Sequence, residues 1–234
     1  MPGRLSRELV DAVLFDVDGT LVDSLRGVVL GLQETYSKFL NIEIGDAEIR
    51  ALIGTPLKVQ AGYFTKEPLP SQTLEEMEKF AVERFFSLEH LERDFEGAIN
   101  GLVDCAESGL KTCLVTSKNG IELDRFMKRF SGKRSVMATV CASDVRHPKP
   151  DPESVLLACQ KLGVEVSRSV MIGDSIFDVQ SARAAGAYSV AVLYGAGDQK
   201  KLLEAGPDFV IETPLALRNW LAASFETRQC PAKN

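Results

Sequence analysis

The sequence has no long apolar run, no two cysteines at C-x-x-C spacing and no basic cluster. No stretch of its 234 residues approaches the roughly 20 apolar residues that cross a bilayer, which argues against a membrane protein. Its 27 lysines and arginines against 33 aspartates and glutamates give a net charge of −6, which argues against a nucleic-acid partner. The five scattered cysteines lack C-x-x-C spacing, which argues against a zinc site and predicts reduced thiols. The charged N-terminal residues do not resemble a signal peptide, so we expect a cytoplasmic protein.

The proportion of apolar, core-forming residues in the sequence is typical of a globular protein. Apolar residues make up 45% of the chain and charged residues 26%, as in globular proteins with a full hydrophobic core. The length allows one large domain, or one domain that carries an insertion.

A long helical segment follows the first short strand, which is predicted at Ala12–Phe15. The apolar positions of Leu25–Leu40 recur with a helical period, and three further helices are predicted up to about Arg93. We place the start of the last of these helices after Ser71, with a capping box at Thr73–Glu76. No strand pattern interrupts this part of the chain, which therefore predicts an all-helical insertion of four helices.

Helices and strands alternate after Gly97. Strands are predicted at Lys111–Val115, Val136–Cys141, Ser169–Ile172, Ser189–Leu193 and Asp208–Ile211. This alternation predicts an α/β fold with a Rossmann-like three-layer core, in which helices cover both faces of a parallel sheet. We expect residues 1–22 and 95–226 to form this core, residues 23–94 the helical insertion and residues 227–234 a flexible tail.

Two carboxylates follow the first strand at once. Asp16 and Asp18 are spaced i, i+2 and are followed by the turn residues Gly19 and Thr20. Two acids held close together repel each other unless a cation binds between them or one of them carries a proton. The alternative is a strand that runs into a solvated Asp-Gly turn.

Polar residues also follow two other predicted strands. Thr116 and Ser117 come after one of them, and Gly173 and Asp174 after another. In open parallel sheets the ligand crevice lies at the carboxyl ends of the strands, so these residues are expected to meet Asp16 there. The alternative, that such residues merely cap helices or begin loops, explains Thr116 alone better than it explains the three aspartates together.

A lysine and a second pair of acids complete the set. Lys149 lies between Pro148 and Pro150, which restrict the loop and would hold this lysine in one place; an idle surface lysine is the alternative. Asp174 and Asp178 are spaced i, i+4, on one face of the helix that begins there.

These residue types suit the chemistry of a phosphate and a divalent cation. A cation held by Asp16 and Asp174 would have the oxygen ligands that Mg²⁺ prefers. Thr116 and Lys149 would supply hydrogen-bond donors to the oxygens of a phosphoryl group.

In these motifs the chain resembles the haloacid-dehalogenase-like hydrolase superfamily. The four motifs of that superfamily match Asp16–Thr20, Thr116, Lys149 and residues 173–178, in this order. The helical insertion resembles the small helical type of cap found in the family. Residues 19–24 (Gly-Thr-Leu-Val-Asp-Ser) most resemble the phosphoglycolate-phosphatase-like branch.

The resemblance implies a role for each matching residue. Asp16 would be the nucleophile and Asp18 the general acid and base. Mg²⁺ would be bound by Asp16, the backbone carbonyl of Asp18 and Asp174, with Asp178 in or near its outer shell. Thr116, the backbone N–H of Ser117 and Lys149 would bind the phosphoryl group.

The implied activity is Mg²⁺-dependent hydrolysis of a small phosphomonoester, phosphoglycolate-like or a sugar phosphate, through a covalent aspartyl-phosphate. Dehalogenases that resemble this scaffold lack an aspartate at the position of Asp18, so its presence favours a phosphatase. A mutase of the β-phosphoglucomutase type is one alternative, although that branch tends to carry an acid where this chain has Gly173. A phosphate-sensing module without turnover is another alternative, and the protein is expected to be a monomer or a dimer.

Substrate choice is expected to depend on the helical insertion. The segment from Ile53 to Lys58 lies between two of its predicted helices, and Thr55 and Lys58 are candidates for contact with the substrate. A plain turn with a solvated lysine is at least as good an interpretation.

Overall fold

The computed structural model describes residues 5–50, 52–53 and 57–225. Its strands are β1 (Ala12–Phe15), β2 (Val22–Asp23), β3 (Arg93–Asp94), β4 (Lys111–Val115), β5 (Ala138–Val140), β6 (Ser169–Gly173), β7 (Tyr188–Val192) and β8 (Phe209–Ile211). Its helices are α1 (Leu25–Leu40), α2 (Asp46–Arg50), α3 (Leu57–Phe64), α4 (Ser71–Leu88), α5 (Glu96–Glu107), α6 (Gly120–Arg129), α7 (Glu153–Leu162), α8 (Ile176–Ala185), α9 (Gln199–Glu204) and α10 (Pro214–Phe225).

Six of the described strands form one parallel sheet in the order β5-β4-β1-β6-β7-β8. Strand β1 lies in the middle of this sheet, and its last residue Phe15 pairs with Leu114 on one side and Ile172 on the other. The three strands therefore end level with one another. This register brings the residues that follow them to one edge of the sheet, as the sequence predicts.

Both faces of the sheet are covered by apolar side chains of helices. Phe15 packs in a cluster with Leu102 of α5 and Trp220 of α10, whereas Leu14 packs on the opposite face with Val155 of α7. Because neighbouring residues of a strand point to opposite faces, β1 is apolar throughout. The three-layer α/β core predicted from the sequence is confirmed.

The described helices between β2 and β3 have an apolar cluster of their own. Tyr36, Ile49 and Met77 are fully buried in it, and the Tyr36 hydroxyl donates a hydrogen bond of 2.7 Å to Gln60 Oε1. At the two ends of this helical segment, β2 and β3 pair antiparallel with each other. This short ribbon is absent from the sequence prediction because two-residue strands leave no periodic pattern.

Some predicted boundaries differ from the structure. The capping box at Thr73–Glu76 is wrong, because α4 begins at Ser71, directly after Pro70, and no side chain caps it. The tail predicted at residues 227–234 lies outside the described residues. No described helix combines the length and the apolarity needed to cross a membrane.

Candidate active site

The two acids after β1 are held by a tight turn. The backbone N–H of Asp16 still donates to the carbonyl of Ile172, at 2.9 Å, so this residue continues the sheet. The chain then turns through Gly19, whose N–H donates to the carbonyl of Val22 at 2.8 Å and whose φ is +77°. A Cβ at Gly19 would lie 2.1 Å from Asp174 Oδ2, so glycine is required here both for the backbone angle and for the close approach of the carboxylate.

Two further carboxylates, one after β6 and one in α8, lie close to that of Asp16. Oxygen atoms of Asp16, Asp174 and Asp178 all lie within 4.8 Å of one another, and all three residues are buried. Lys149 bridges two of them: its Nζ lies 2.9 Å from Asp16 Oδ1 and 2.6 Å from Asp178 Oδ1. The same ammonium donates to the carbonyl of Val115 at 3.1 Å, so it is fully engaged.

Burial and mutual repulsion make this cluster electrostatically costly without a cation. Burial raises the pKa of Asp16 to about 7, against the opposing charge of Lys149, and the charges of Asp178 and Asp18 add to the increase. Burial and the neighbouring carboxylates likewise raise the pKa of Asp174 well above its ordinary value. The pKa of Lys149 is raised, since its two carboxylate partners outweigh the effect of burial. A buried, all-oxygen donor set with excess negative charge fits a hard divalent cation such as Mg²⁺.

A glycine-containing loop after β7 cradles Asp174. The N–H groups of Ala196 and Gly197 donate to Asp174 Oδ2 at 2.7 and 3.2 Å. A Cβ at Gly195 would lie 2.3 Å from the Cβ of Asp174, so the loop approaches the aspartate closely. Our sequence analysis missed this loop, although the spacing of Gly195 and Gly197 after a strand was an available signal.

The carboxylate of Asp178 both caps α8 and binds Lys149. Ser175 is the N-cap of α8, and its N–H and hydroxyl donate to Asp178 Oδ2 at 3.1 and 2.6 Å. The other oxygen of the same carboxylate bonds to Lys149. The capping box thus fixes the rotamer of Asp178, and this carboxylate in turn holds Lys149 beside Asp16.

Gly173 leaves the space that Asp178 occupies, because a Cβ there would lie 2.2 Å from Asp178 Cγ. We expect Gly173→Ala to displace this carboxylate and with it Lys149. A displacement of about 1 Å in an active site can lower turnover roughly 100-fold. The measurement is the rate of hydrolysis of p-nitrophenyl phosphate. Gly120→Ala, at a helical glycine with open space around it, is the control, and equal rates for the two variants would contradict the prediction.

Thr116 and Ser117 lie at the end of β4, next to β1. Thr116 is 4% exposed, and its Oγ1 accepts a hydrogen bond of 3.2 Å from the N–H of Lys118. Ser117 lines the cavity described below, whereas Thr116 is not among its described lining residues.

Lys118 was not among the residues singled out in the sequence. Its Nζ lies 2.9 Å from Asp18 Oδ2, and its side chain is 15% exposed. The pKa of Asp18 is lowered, because Lys118, a hydrogen bond with Ser24 and the charge of Lys149 together outweigh the effect of burial. The pKa of Lys118 is raised despite burial, by the charges of Asp18, Glu92 and Glu122. No sequence motif marks a lysine that directly follows a Thr-Ser pair, so only the fold reveals the contact between Lys118 and Asp18.

These residues border one cavity of about 220 Å³ between the sheet edge and the helical segment. Asp16, Asp18, Ser117, Lys149 and Asp174 line it, together with the apolar side chains of Leu25, Val28, Ile53 and Phe85. Thr55 lies outside the described residues, and so does the side chain of Lys58, although the backbone of Lys58 belongs to α3.

The chain belongs to the haloacid dehalogenase-like hydrolase family, whose model matches residues 13–192. Relatives are similar along nearly their whole length. An N-acetylmuramic acid 6-phosphate phosphatase of Pseudomonas putida is 30% identical over 88% of this chain and 94% of its own. A phosphoglycolate phosphatase of Agrobacterium fabrum is 29% identical, covering 91% of this chain and 92% of the relative.

Two further comparisons agree with this assignment. The pyrophosphatase PpaX of Bacillus velezensis is 28% identical, covering 87% of this chain and 92% of the relative. The crystal structure of a hydrolase from Pseudomonas syringae has a TM-score of 0.80 at 28% identity and covers 91% of this chain and 98% of that one. The family match and the named relatives indicate that this enzyme is a phosphatase.

Proposed function

We propose that this phosphatase hydrolyses a small phosphomonoester, phosphoglycolate-like or a sugar phosphate, with Mg²⁺ and through a covalent aspartyl-phosphate, an acyl phosphate, at Asp16. The observation that carries the proposal is the position of Asp16. It lies buried at the carboxyl end of the central strand, 2.9 Å from Lys149 and within 4.8 Å of two further carboxylates. A carboxylate in this setting is a suitable nucleophile once the charge of an incoming phosphate has been neutralised.

The proposed metal ligands are Asp16, the backbone carbonyl of Asp18 and Asp174, with Asp178 behind them. Bound Mg²⁺ would supply positive charge for the phosphate oxygens. The cradle of N–H groups from Ala196 and Gly197 orients Asp174 for this role.

The chain's own groups account for the remaining steps of the proposed reaction. A carboxylate oxygen of Asp16 attacks phosphorus, while Lys149 neutralises charge on the nucleophile and the phosphoryl group. Thr116 and the N–H of Ser117 orient the phosphoryl oxygens. Asp18, which is ionised beside Lys118 in the free enzyme, takes up a proton with the substrate and gives it to the leaving oxygen; it then takes a proton from the water that hydrolyses the aspartyl-phosphate.

We also propose that the helical segment, residues 23–94, is a cap domain over the core formed by residues 1–22 and 95–226. Side chains of this segment line the same cavity as Asp16, Asp18 and Asp174, as those of a specificity-determining cap would. The cavity is smaller than the roughly 300–1,000 Å³ of drug-sized pockets, which favours a small metabolite. We retain Thr55 and Lys58 as candidate substrate contacts and propose a cytoplasmic location, with which the buried thiols of the four described cysteines are consistent.

Gly173 favours hydrolysis over the mutase alternative. The acid that the mutase branch tends to carry at this position would place a Cβ 2.2 Å from Asp178 Cγ. The present arrangement of Asp178 and Lys149 therefore depends on glycine.

A hydrolysis assay with and without metal tests the proposal. We expect hydrolysis of p-nitrophenyl phosphate and of a panel of small phosphate esters in Mg²⁺, loss of activity in excess EDTA, and recovery when Mg²⁺ is restored. Stabilisation of the fold by phosphate esters without release of phosphate would contradict the proposal and favour the sensing module.

Mg²⁺ should stabilise the fold more at high pH than at low pH. The pKa of Asp16 without a bound cation is about 7, above its ordinary value of 3.8. Its contribution to the free energy of unfolding is therefore complete below about pH 4 and is lost as the pH rises through about 7. A cation reverses this loss, so the increase in Tm caused by Mg²⁺ should grow between pH 5 and pH 8. Thermal unfolding across this range measures it, and an increase that does not vary with pH would refute the argument.

A further inference from the structure

Two glutamates line the part of the cavity that adjoins Asp18. Glu92 lies just before β3, with its side chain 12% exposed, and Glu122 lies in the first turn of α6. Burial raises the pKa of both carboxyl groups. Among the described residues, the hydrogen bonds that these two carboxylates accept come from Arg129 and from the N–H of Asn119, respectively. Neither contact is with a phosphate-binding residue.

The lining cations already have negative partners. Among the described residues that border the cavity, the cations are Lys118 and Lys149. Lys149 lies between Asp16 and Asp178. Lys118 is paired with Asp18, and the charges of the two glutamates also stabilise its ammonium and raise its pKa. A second negative group on a substrate would therefore find no unmatched positive charge on these residues.

Apolar side chains line the same cavity. Leu25, Val28, Ile53 and Phe85, all from the helical segment, face the same space as the glutamates. This combination suits a leaving group with a carbon skeleton and hydroxyl groups, because carboxylates accept hydrogen bonds from hydroxyls. A carboxylate or a second phosphate in that position would be desolvated beside like charges.

We propose that Glu92 and Glu122 are specificity-determining residues that select phosphate esters of uncharged, hydroxylated leaving groups and reject esters that carry a second negative group. The inference rests on the proposed function and narrows its substrate class to phosphates of neutral polyols and sugars. Phosphoglycolate and pyrophosphate fall in the rejected class, although relatives are named for them.

Two matched pairs of esters test the selection. Sorbitol 6-phosphate is compared with 6-phosphogluconate, and 2-hydroxyethyl phosphate with phosphoglycolate; the members of each pair differ only in a hydroxymethyl group or a carboxylate at one end. We expect kcat/KM to favour the neutral member by about tenfold or more, the scale on which single contacts discriminate substrates. The Glu92→Gln/Glu122→Gln double variant should reduce that ratio, because glutamine keeps the size and the acceptor oxygen but removes the charge. Glu83→Gln, at an exposed position of α4, is the matched control and should keep the wild-type ratio.

The outcomes separate this inference from the function on which it rests. Hydrolysis that requires Mg²⁺ and Asp16 but favours the charged member of each pair would overturn the inference alone. A ratio that the double variant leaves unchanged would also overturn it, since selection would then come from other residues, such as Lys58. No hydrolysis of any ester, p-nitrophenyl phosphate included, would overturn both.

Discussion

Asp16→Asn is expected to abolish turnover while the protein stays folded. The amide is nearly isosteric with the carboxylate but is not a nucleophile, so the covalent step has no substitute. Loss of an enzyme nucleophile lowers kcat by up to about 10⁶-fold, and we expect at least about 10⁴-fold here. Steady-state hydrolysis of p-nitrophenyl phosphate in saturating Mg²⁺ measures the effect.

The stability of this variant gives an independent readout. Asp16 is buried, and its pKa is raised to about 7, so its charge opposes folding in the absence of a cation at neutral pH. The neutral amide should therefore keep or increase the free energy of unfolding without metal and weaken the stabilisation by Mg²⁺. Asp124→Asn, at an exposed position of α6, is the control for both assays. Residual Mg²⁺-dependent activity of Asp16→Asn near the wild-type level would refute the covalent mechanism.

Lys149→Met is expected to impair both folding and activity. The lysine is 4% exposed in its side chain and bridges two carboxylates that are themselves buried. Removing one partner of a buried ion pair leaves an uncompensated charge and typically costs about 3–5 kcal/mol. Chemical denaturation without metal measures this loss, and we expect turnover to fall roughly 100-fold because the phosphoryl group loses a positioned donor.

A surface ion pair provides the matched control. Lys161 pairs with Asp144 at 3.1 Å, but its side chain is 37% exposed. Exposed pairs contribute only about 0–1 kcal/mol, so Lys161→Met should be nearly neutral. Mg²⁺ should recover part of the stability lost in Lys149→Met, because it neutralises the same carboxylates. Equal stability of the two variants without metal would contradict the assignment of Lys149 as the bridge.

The parallel core was predictable because apolar strands and amphipathic helices leave periodic patterns in the sequence. The proximity of Asp16 and Asp174 followed from one topological rule, since the carboxyl ends of neighbouring parallel strands meet at one edge. The roles of these residues were reached only through resemblance to a family and stay proposals.

The contacts that the sequence did not predict are those that no local pattern encodes. The pairing of Lys118 with Asp18 joins residues 100 positions apart in sequence, and the cradle around Asp174 comes from a loop that follows a different strand. The start of α4 was misplaced because the helix begins at Ser71, with Pro70 as its N-cap and without the side-chain cap that the sequence suggested at Thr73. Tertiary packing determines such details, and a single sequence does not record it.

The short ribbon formed by β2 and β3 makes the helical segment an exchangeable module. Val22 pairs with Asp94 and Asp23 with Arg93, so the chain leaves the core and returns to it at points about 5 Å apart. We expect that replacing the residues between these strands with the helices of a relative would leave the path of the sheet, and the strand ends that carry Asp16 and Asp174, unchanged. Grafting at this junction would therefore exchange the apolar residues that line the cavity, whereas Glu122 and the aspartates would stay with the sheet.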